Sequence, residues 1–306
     1  MTGSPWIAER SLSPDEAGAL VADRFPELAG AAVRAFGEGW DNSAFLVDET
    51  WVFRFPRREV AVGLLKSEIA VLPAIAGALS LAIPVPEWVG EPTAGFPWPF
   101  AGYRLIPGTT ACAAAPDPES RARSAPLLGR FLRELHGIPA AAARDAGAPP
   151  DRFERLHPDR RRRFAEDLAR LAESGDPSPG EVSAHRALAE AVPPDWRPGA
   201  VTLVHGDLYS RHLVVDAGAV VTGVIDWGDL HLGDPAIDLS VAFGFLPPEA
   251  RPAFWSEYGE PSPATATVAR FHAACHAVKE LLYARDVGDR ALYREARTSL
   301  DRSVEP

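Results

Sequence analysis

The sequence predicts an α+β chain in two parts: a small β-rich N-terminal part and a larger helical part, with a cleft between them. Three observations carry this. Short β-patterned runs bounded by turn residues cluster before residue 106. Helical periodicity dominates after it, broken by Pro/Gly/Ala-rich stretches. A short β region at 201–204, 213–215 and 220–225 interrupts those helices. Two lobes facing each other make a setting in which a ligand can be enclosed.

The elements follow in order. Ser13-Pro14-Asp15-Glu16 is a helix start, with Ser13 able to cap, Pro14 suited to the first turn and Glu16 completing a capping box. Ala17, Leu20, Val21 and Phe25 then recur on one face. A strand is predicted at 32–36, then the loop Gly37-Glu38-Gly39-Trp40-Asp41-Asn42-Ser43. Strands at 44–47 and 51–55 share the short turn Asp48-Glu49-Thr50. Residues 59–79 read as a helix that Pro73 should end or kink. Strands at 85–89 and 101–105 complete a small sheet. Ile106-Pro107-Gly108 reads as a hinge, dividing 1–106 from 107–306. Helices are predicted at 119–136, 153–172 and 182–191, and after the β region at 235–243, 248–258, 265–285 and 291–299.

Composition bounds the class. Of 306 residues, 46% are hydrophobic, enough to bury a core. Apolar stretches are broken by charge or proline before the roughly 18–20 residues that span a bilayer, so no membrane partner is expected. The N-terminus, Met1-Thr2-Gly3-Ser4-Pro5-Trp6, has neither a basic nor an apolar signal region. Cys112 and Cys275 form neither a disulfide framework nor a zinc site, and a reducing cytoplasm fits. The net charge of −11 argues against a nucleic-acid binder, which needs a basic face. Arg160-Arg161-Arg162-Arg163 reads as a solvated helix face, since Glu166 and Asp167 follow it. Only Lys66 and Lys279 supply lysine, so fixed cations must come from arginine.

The chemistry concentrates in Val204-His205-Gly206-Asp207-Leu208-Tyr209-Ser210-Arg211-His212-Leu213, where a strand ends in a polar loop and another begins. Asp226, in Val224-Ile225-Asp226-Trp227-Gly228, lies nineteen residues after Asp207, again where an apolar strand runs out. A lone Asp at such a place serves as a turn or cap residue. Two carboxylates at adjacent strand ends, aimed into one cleft, suit phosphoryl transfer. One accepts the hydroxyl proton and the other holds the metal that neutralises the phosphates.

His205-Gly206-Asp207-Leu208, Ile225-Asp226-Trp227 and Gly233-Asp234-Pro235-Ala236-Ile237-Asp238-Leu239 resemble the aminoglycoside phosphotransferase superfamily, antibiotic and metabolite kinases with a protein-kinase-like bilobal fold. The resemblance runs from Gly37 to the helix after Pro235. It implies Asp207 as catalytic base and Asp226 as principal Mg²⁺ ligand, with ATP or GTP as co-substrate. It also implies that His205 braces the loop, and that Asp234 and Asp238 support it or cap the next helix. The phosphate grip should lie at Gly37, Gly39, Asn42 and Ser43, where glycines let the backbone approach phosphate oxygens; a plain hairpin turn would look the same. Arg54, sharing a strand face with Val52 and Pro56, occupies the place of the kinase strand lysine, and Glu68 matches its helix partner. Base recognition is expected from hinge backbone near Tyr103-Arg104-Leu105-Ile106, with Tyr103 and Leu105 the named contacts.

One position departs from the pattern. His212 stands where most aminoglycoside kinases carry a metal-ligating Asn, which reads either as a crippled pseudokinase or as similarity to macrolide phosphotransferases. The strand end Arg54-Phe55-Pro56-Arg57-Arg58 is similar to the macrolide enzymes too. These readings favour a hydroxylated antibiotic acceptor, macrolide before aminoglycoside, with a metabolic kinase or a nucleotide-binding pseudokinase as alternatives. A cationic acceptor is expected from the acidic run between Asp226 and Glu260. Asp229, Glu249, Glu257 and Glu260, with the rings of Trp227, Trp255 and Tyr258, would line the acceptor side of the cleft.

Overall fold

Ser13 starts the first helix as predicted, α1 (Pro14–Arg24): its hydroxyl accepts from the Glu16 N–H, and Glu16 Oε2 accepts from the Ser13 N–H at 2.7 Å. This computed structural model describes residues 8–151, 159–197 and 200–305. The strands that follow are β1 (Val33–Glu38), β2 (Asn42–Val47) and β3 (Trp51–Pro56). After helix α2 (Glu59–Ile75) come β4 (Pro86–Gly90) and β5 (Phe100–Arg104). They form one antiparallel sheet in the order β1-β2-β3-β5-β4.

Strand alternation decides what each sheet face does. Phe53 and Phe55 point to one side, where they bury with Phe45, Phe96, Phe100, Ala17 and Val21 beneath α1. Each buried ring contributes roughly 1.5–3 kcal/mol. Arg54 therefore points to the other side. Its register partner there is Ala101, which packs with Tyr103 against Leu65 of α2. The same helix face carries Glu68.

Two expectations about α2 are corrected. The helix runs through Pro73 to Ile75 rather than ending at the proline, leaving the Ile69 carbonyl without its intrahelical donor two residues before the helix stops. The stretch Glu59–Ala78, with mean hydropathy 1.6, is long and apolar enough by composition to cross a membrane, despite its charges and proline. In the fold it is a core helix, burying Leu64, Leu65, Val71, Leu72 and Ile75.

Beyond the hinge come β6 (Thr109–Thr110), α3 (Ala111–Ala114), α4 (Pro118–His136), α5 (Ala140–Asp145), α6 (Arg160–Ala172) and α7 (Pro179–Ala191). Next are β7 (Thr202–Val204), β8 (Leu213–Val215), β9 (Val221–Val224) and β10 (His231–Gly233). The chain ends in α8 (Ala236–Gly244), α9 (Arg251–Tyr258), α10 (Pro263–Val287) and α11 (Arg290–Val304). The first residues of the helix predicted at 153–172 lie outside the described residues. Arg162 pairs with Glu166 on an exposed face, as the arginine run suggested. β6, α3, α5 and β10 were not legible, being two to six residues long and without a period. Helix α8 is buried along almost its whole length, so it forms the centre of this part rather than a surface layer. Cys112 and Cys275 are buried free thiols.

Gly108, the last residue of the hinge, has φ +131°, and a side chain there would come within 2.3 Å of the Val215 carbonyl. The two lobes also meet at Ala82, whose N–H donates to Thr222 and whose carbonyl accepts from Val224, beside the strand that delivers Asp226.

Candidate active site

Strand β7 ends at Val204, and the chain turns sharply through Gly206 at φ +87°. A Cβ there would lie 2.3 Å from the Asp229 carbonyl, so only glycine fits. Asp238 of α8 fixes the turn from below: its carboxylate accepts from the His205 N–H at 2.7 Å and the Gly206 N–H at 2.9 Å, and His136 reaches it at 3.2 Å. Burial would raise the Asp238 carboxyl, but the His136 contact and these amides hold it low. His205 is fully buried. Its Nδ1 accepts from the Asp207 N–H, so Nε2 carries the proton and donates to the Ile225 carbonyl. Burial keeps this imidazole neutral. His205 and Asp238 thus brace the loop, as the resemblance implied. Asp234 accepts from the Ala236 N–H and the Trp196 indole, supporting the start of α8.

Asp226 follows β9 in the left-handed region, φ 61°, a conformation that costs free energy and that Asp tolerates better than most residues. Its Oδ1 accepts from Arg54 Nη2 at 2.5 Å, and its Oδ2 lies 3.2 Å from His212 Nε2. Arg54 also donates through Nη1 to both Glu68 oxygens, at 2.8 and 3.0 Å. Burial opposes the Arg54 charge, but Glu68 and Asp226 more than restore it. His212 Nδ1 donates to the Asp207 carbonyl at 2.7 Å. Burial works against its second proton, yet the Asp226 carboxylate outweighs this and raises His212 to about 9. The Asp226 carboxyl, which burial would raise, is held well below the usual range by Arg54 and His212. A continuous line, Glu68–Arg54–Asp226–His212–Asp207, therefore crosses the cleft.

The other predicted nucleotide contacts divide. Gly37 pairs with Ala44 at a bulge in β1, and a Cβ on Gly37 would meet nothing within 4 Å. Neither Gly37 nor Gly39 has a positive φ, so neither is required by its own backbone. The Gly39 N–H donates to the Asn42 carbonyl, and Ser43 is buried in β2. The loop is fastened by arginines that sequence reading took only as a motif. Arg57 donates to the Gly39 carbonyl at 2.7 Å and pairs with Glu38, while Arg58 pairs with Asp41. The Tyr103 hydroxyl donates to Glu68 at 3.0 Å, so its side chain supports the Arg54 partner. The Leu105 N–H donates to the Thr50 carbonyl at 2.8 Å.

Four of the residues expected to line the acceptor side from the 226–260 run are engaged in packing or pairing. Trp227 is fully buried, its ring packed on His205 and Phe131 and its N–H donated to Val224. Trp255 packs on Phe243 and Phe254, and Tyr258 meets His136 Nδ1 at 2.9 Å. Glu257 pairs with Arg130 and Arg133 of α4. Helix α9 carries Trp255, Glu257 and Tyr258 onto α4. The wall beside Asp207 is instead α10. His276 donates from Nε2 to Asp207 Oδ1 at 2.8 Å, with Glu280 one turn on and Tyr209 packed edge-on at 4.7 Å. Sequence reading missed these residues; the available signal was a His and a Glu four apart on an alanine-rich helix face.

The chain belongs to the phosphotransferase enzyme family, which it matches over residues 32–285. Its fold is that of the kinase-like antibiotic phosphotransferases. The GDP complex of wild-type aminoglycoside 2'-phosphotransferase-IIIa superposes with a TM-score of 0.69 at 24% identity, covering 96% of this chain and 99% of that one. The apoenzyme of macrolide 2'-phosphotransferase MphH from Brachybacterium faecium gives a TM-score of 0.61 at 25% identity, covering 94% and 98%. The uncharacterized protein YcbJ of Bacillus subtilis (strain 168) is 26% identical over 220 residues, and that match spans 63% of each chain.

Proposed function

We propose that the chain is a small-molecule O-phosphotransferase, moving the γ-phosphate of a nucleoside triphosphate to a hydroxyl of an antibiotic or related natural product. The observation that carries this reading is the line from Glu68 to Asp207, which joins an arginine of the sheet to two carboxylates of the helical part. Residues 1–106 are the nucleotide lobe and 107–306 the acceptor lobe.

Among the described residues no group of three or more His, Cys, Asp or Glu gathers as a metal cage. That suits Mg²⁺, which is held by one or two carboxylates together with water and nucleotide phosphates. Asp226 is the carboxylate. His212 can join it, since its Nδ1–H is already donated to a carbonyl and Nε2 becomes a ligand once its second proton leaves. The ion neutralises phosphate charge when bound. Arg54 holds the phosphates from the opposite lobe as a planar fork.

Asp207 accepts the proton. The acceptor oxygen bonds to the γ-phosphorus, the bond to the bridging oxygen breaks, and the nucleoside diphosphate leaves with that electron pair. The hydroxyl proton passes to Asp207 Oδ2. This oxygen lies 3.5 Å from His212 Nδ1, longer than a hydrogen bond, whereas Oδ1 is taken.

Macrolides come first and aminoglycosides second as acceptors, on His212 and the 54–58 strand end. A metabolic kinase of a small hydroxyl substrate is the second reading. It is favoured by the commitment of Trp227, Trp255 and Glu257 to packing and pairing, which leaves no cation-recognising surface from them. The test is transfer from ATP and GTP, with Mg²⁺, to macrolides, aminoglycosides and small neutral alcohols. At least one class should be phosphorylated, and Asp207→Asn should abolish turnover while nucleotide affinity stays unchanged. Wild-type turnover in that variant would sink the reading.

A further inference from the structure

We infer that His276 of α10 is the positioning residue that aims Asp207 for proton transfer, and that Glu280 holds His276 in turn. The inference rests on the base assignment made above.

Two histidines here, His212 and His276, lie between two carboxylates, and His276, with its side chain 25% exposed, is the one within hydrogen-bond distance of the Asp207 carboxylate. In His185 both ring nitrogens lie against backbone carbonyls, Glu181 at 2.7 Å and Leu300 at 2.9 Å. His276 instead lies between two carboxylates. Nε2 donates to Asp207 Oδ1 at 2.8 Å, and Nδ1 lies 3.4 Å from Glu280 Oε1. That Glu280 oxygen is buried and has no hydrogen-bond partner among the described groups, so its 3.4 Å approach to the His276 ring is a contact between the two side chains rather than a hydrogen bond. Tyr209 packs edge-on against His276 at 4.7 Å and against His212 at 4.4 Å, wedging the two imidazoles apart.

The consequence is a division of labour within one carboxylate. Oδ1 is fixed from a rigid 25-residue helix, so the carboxylate cannot rotate to present either oxygen, and Oδ2 is left for the hydroxyl. The backbone of the loop is braced separately by His205 and Asp238. His276 touches neither nucleotide-side residue, Arg54 nor Asp226, in the contacts the structure gives it. Losing it should therefore act on kcat and leave nucleotide binding alone.

The probe reaction is Mg²⁺-dependent hydrolysis of ATP, with water standing in for the acceptor hydroxyl, and nucleotide affinity is read by calorimetry on the same preparations. His276→Ala should lower kcat roughly 100-fold, the scale of a misplaced reacting group, with the ATP Kd unchanged within about twofold. His276→Gln should recover most of the loss, because its amide reaches the position of Nε2, whereas His276→Asn is one methylene short. Glu280→Gln should lose several-fold in kcat at unchanged Kd. If His276→Ala hydrolyses ATP at the wild-type rate while Asp207→Asn is dead, the inference is wrong and the base assignment stands. If Gln and Asn are equally poor, the hydrogen bond is not what matters and the inference is again wrong. If Asp207→Asn itself keeps the wild-type rate, the base assignment falls and takes this inference with it.

Discussion

Glu68→Ala separates a built ion pair from an incidental one. Glu68 is 1% exposed and meets Arg54 Nη1 through both oxygens, while Tyr103 donates to it from the sheet. Leaving a buried charge unpaired costs about 3–5 kcal/mol, and because Arg54 keeps Asp226 the lower figure is the bound used here. At about 2–4 °C per kcal/mol for a chain of this size, the midpoint of thermal unfolding should fall by roughly 6–12 °C at the lower figure. Function should suffer separately. Arg54 would be left to Asp226 alone, further neutralising the carboxylate proposed to hold the metal, and Mg²⁺–ATP affinity should weaken by about tenfold, equivalent to roughly 1.4 kcal/mol. The control is Arg34→Ala. Arg34 and Glu49 are just as close, at 2.7 Å, but lie 55% and 70% exposed in solvent. Water screens that pair, so neither midpoint nor affinity should move. Calorimetric unfolding and nucleotide titration on both variants decide the matter. A Glu68→Ala midpoint indistinguishable from that of Arg34→Ala would show that burial does not set the worth of this pair.

Three further outcomes are expected. Asp226→Ala should abolish the Mg²⁺ dependence of nucleotide binding, read by titrating Mg²⁺ at fixed ATP; an unchanged titration would remove it as ligand. His212→Asn should retain substantial turnover and His212→Ala much less, because Asn restores an oxygen donor beside Asp226; equal loss in both would point to the imidazole itself. Glu280 gives a pH signature. Burial pushes its carboxyl from 4.5 up to about 7, against the opposing charge of His276, with Asp207, His212 and Arg211 also facing it. The folded state then keeps a proton that the unfolded chain releases. The associated stability is full below about pH 4.5, is lost as pH rises to about 7, and amounts to about 3 kcal/mol. His276, also raised, acts in the same direction. Relative to wild type, Glu280→Gln should therefore gain stability between pH 5 and 7 in denaturant titrations, and a pH-independent difference would refute the assignment.

What the sequence determined by itself was whatever local pattern controls. The capping box at Ser13, the alternation that turns Arg54 away from Phe53 and Phe55, and the strand–loop–strand spacing of Asp207 and Asp226 were legible because a few neighbouring residues decide them. The Arg54–Glu68 pair was legible too, since a strand and the following helix bring them together within fourteen residues. Tertiary structure alone decided the rest. An acidic, aromatic run looks like a binding surface until α9 is seen packed on α4, with Trp255 buried and Glu257 paired to Arg130. The wall beside the Asp207 carboxylate comes from α10, and His276 reaches Asp207 across 69 residues of chain. No local rule relates residues so far apart, because their meeting depends on how α10 packs against the buried α8 behind the loop, a choice made by the whole core.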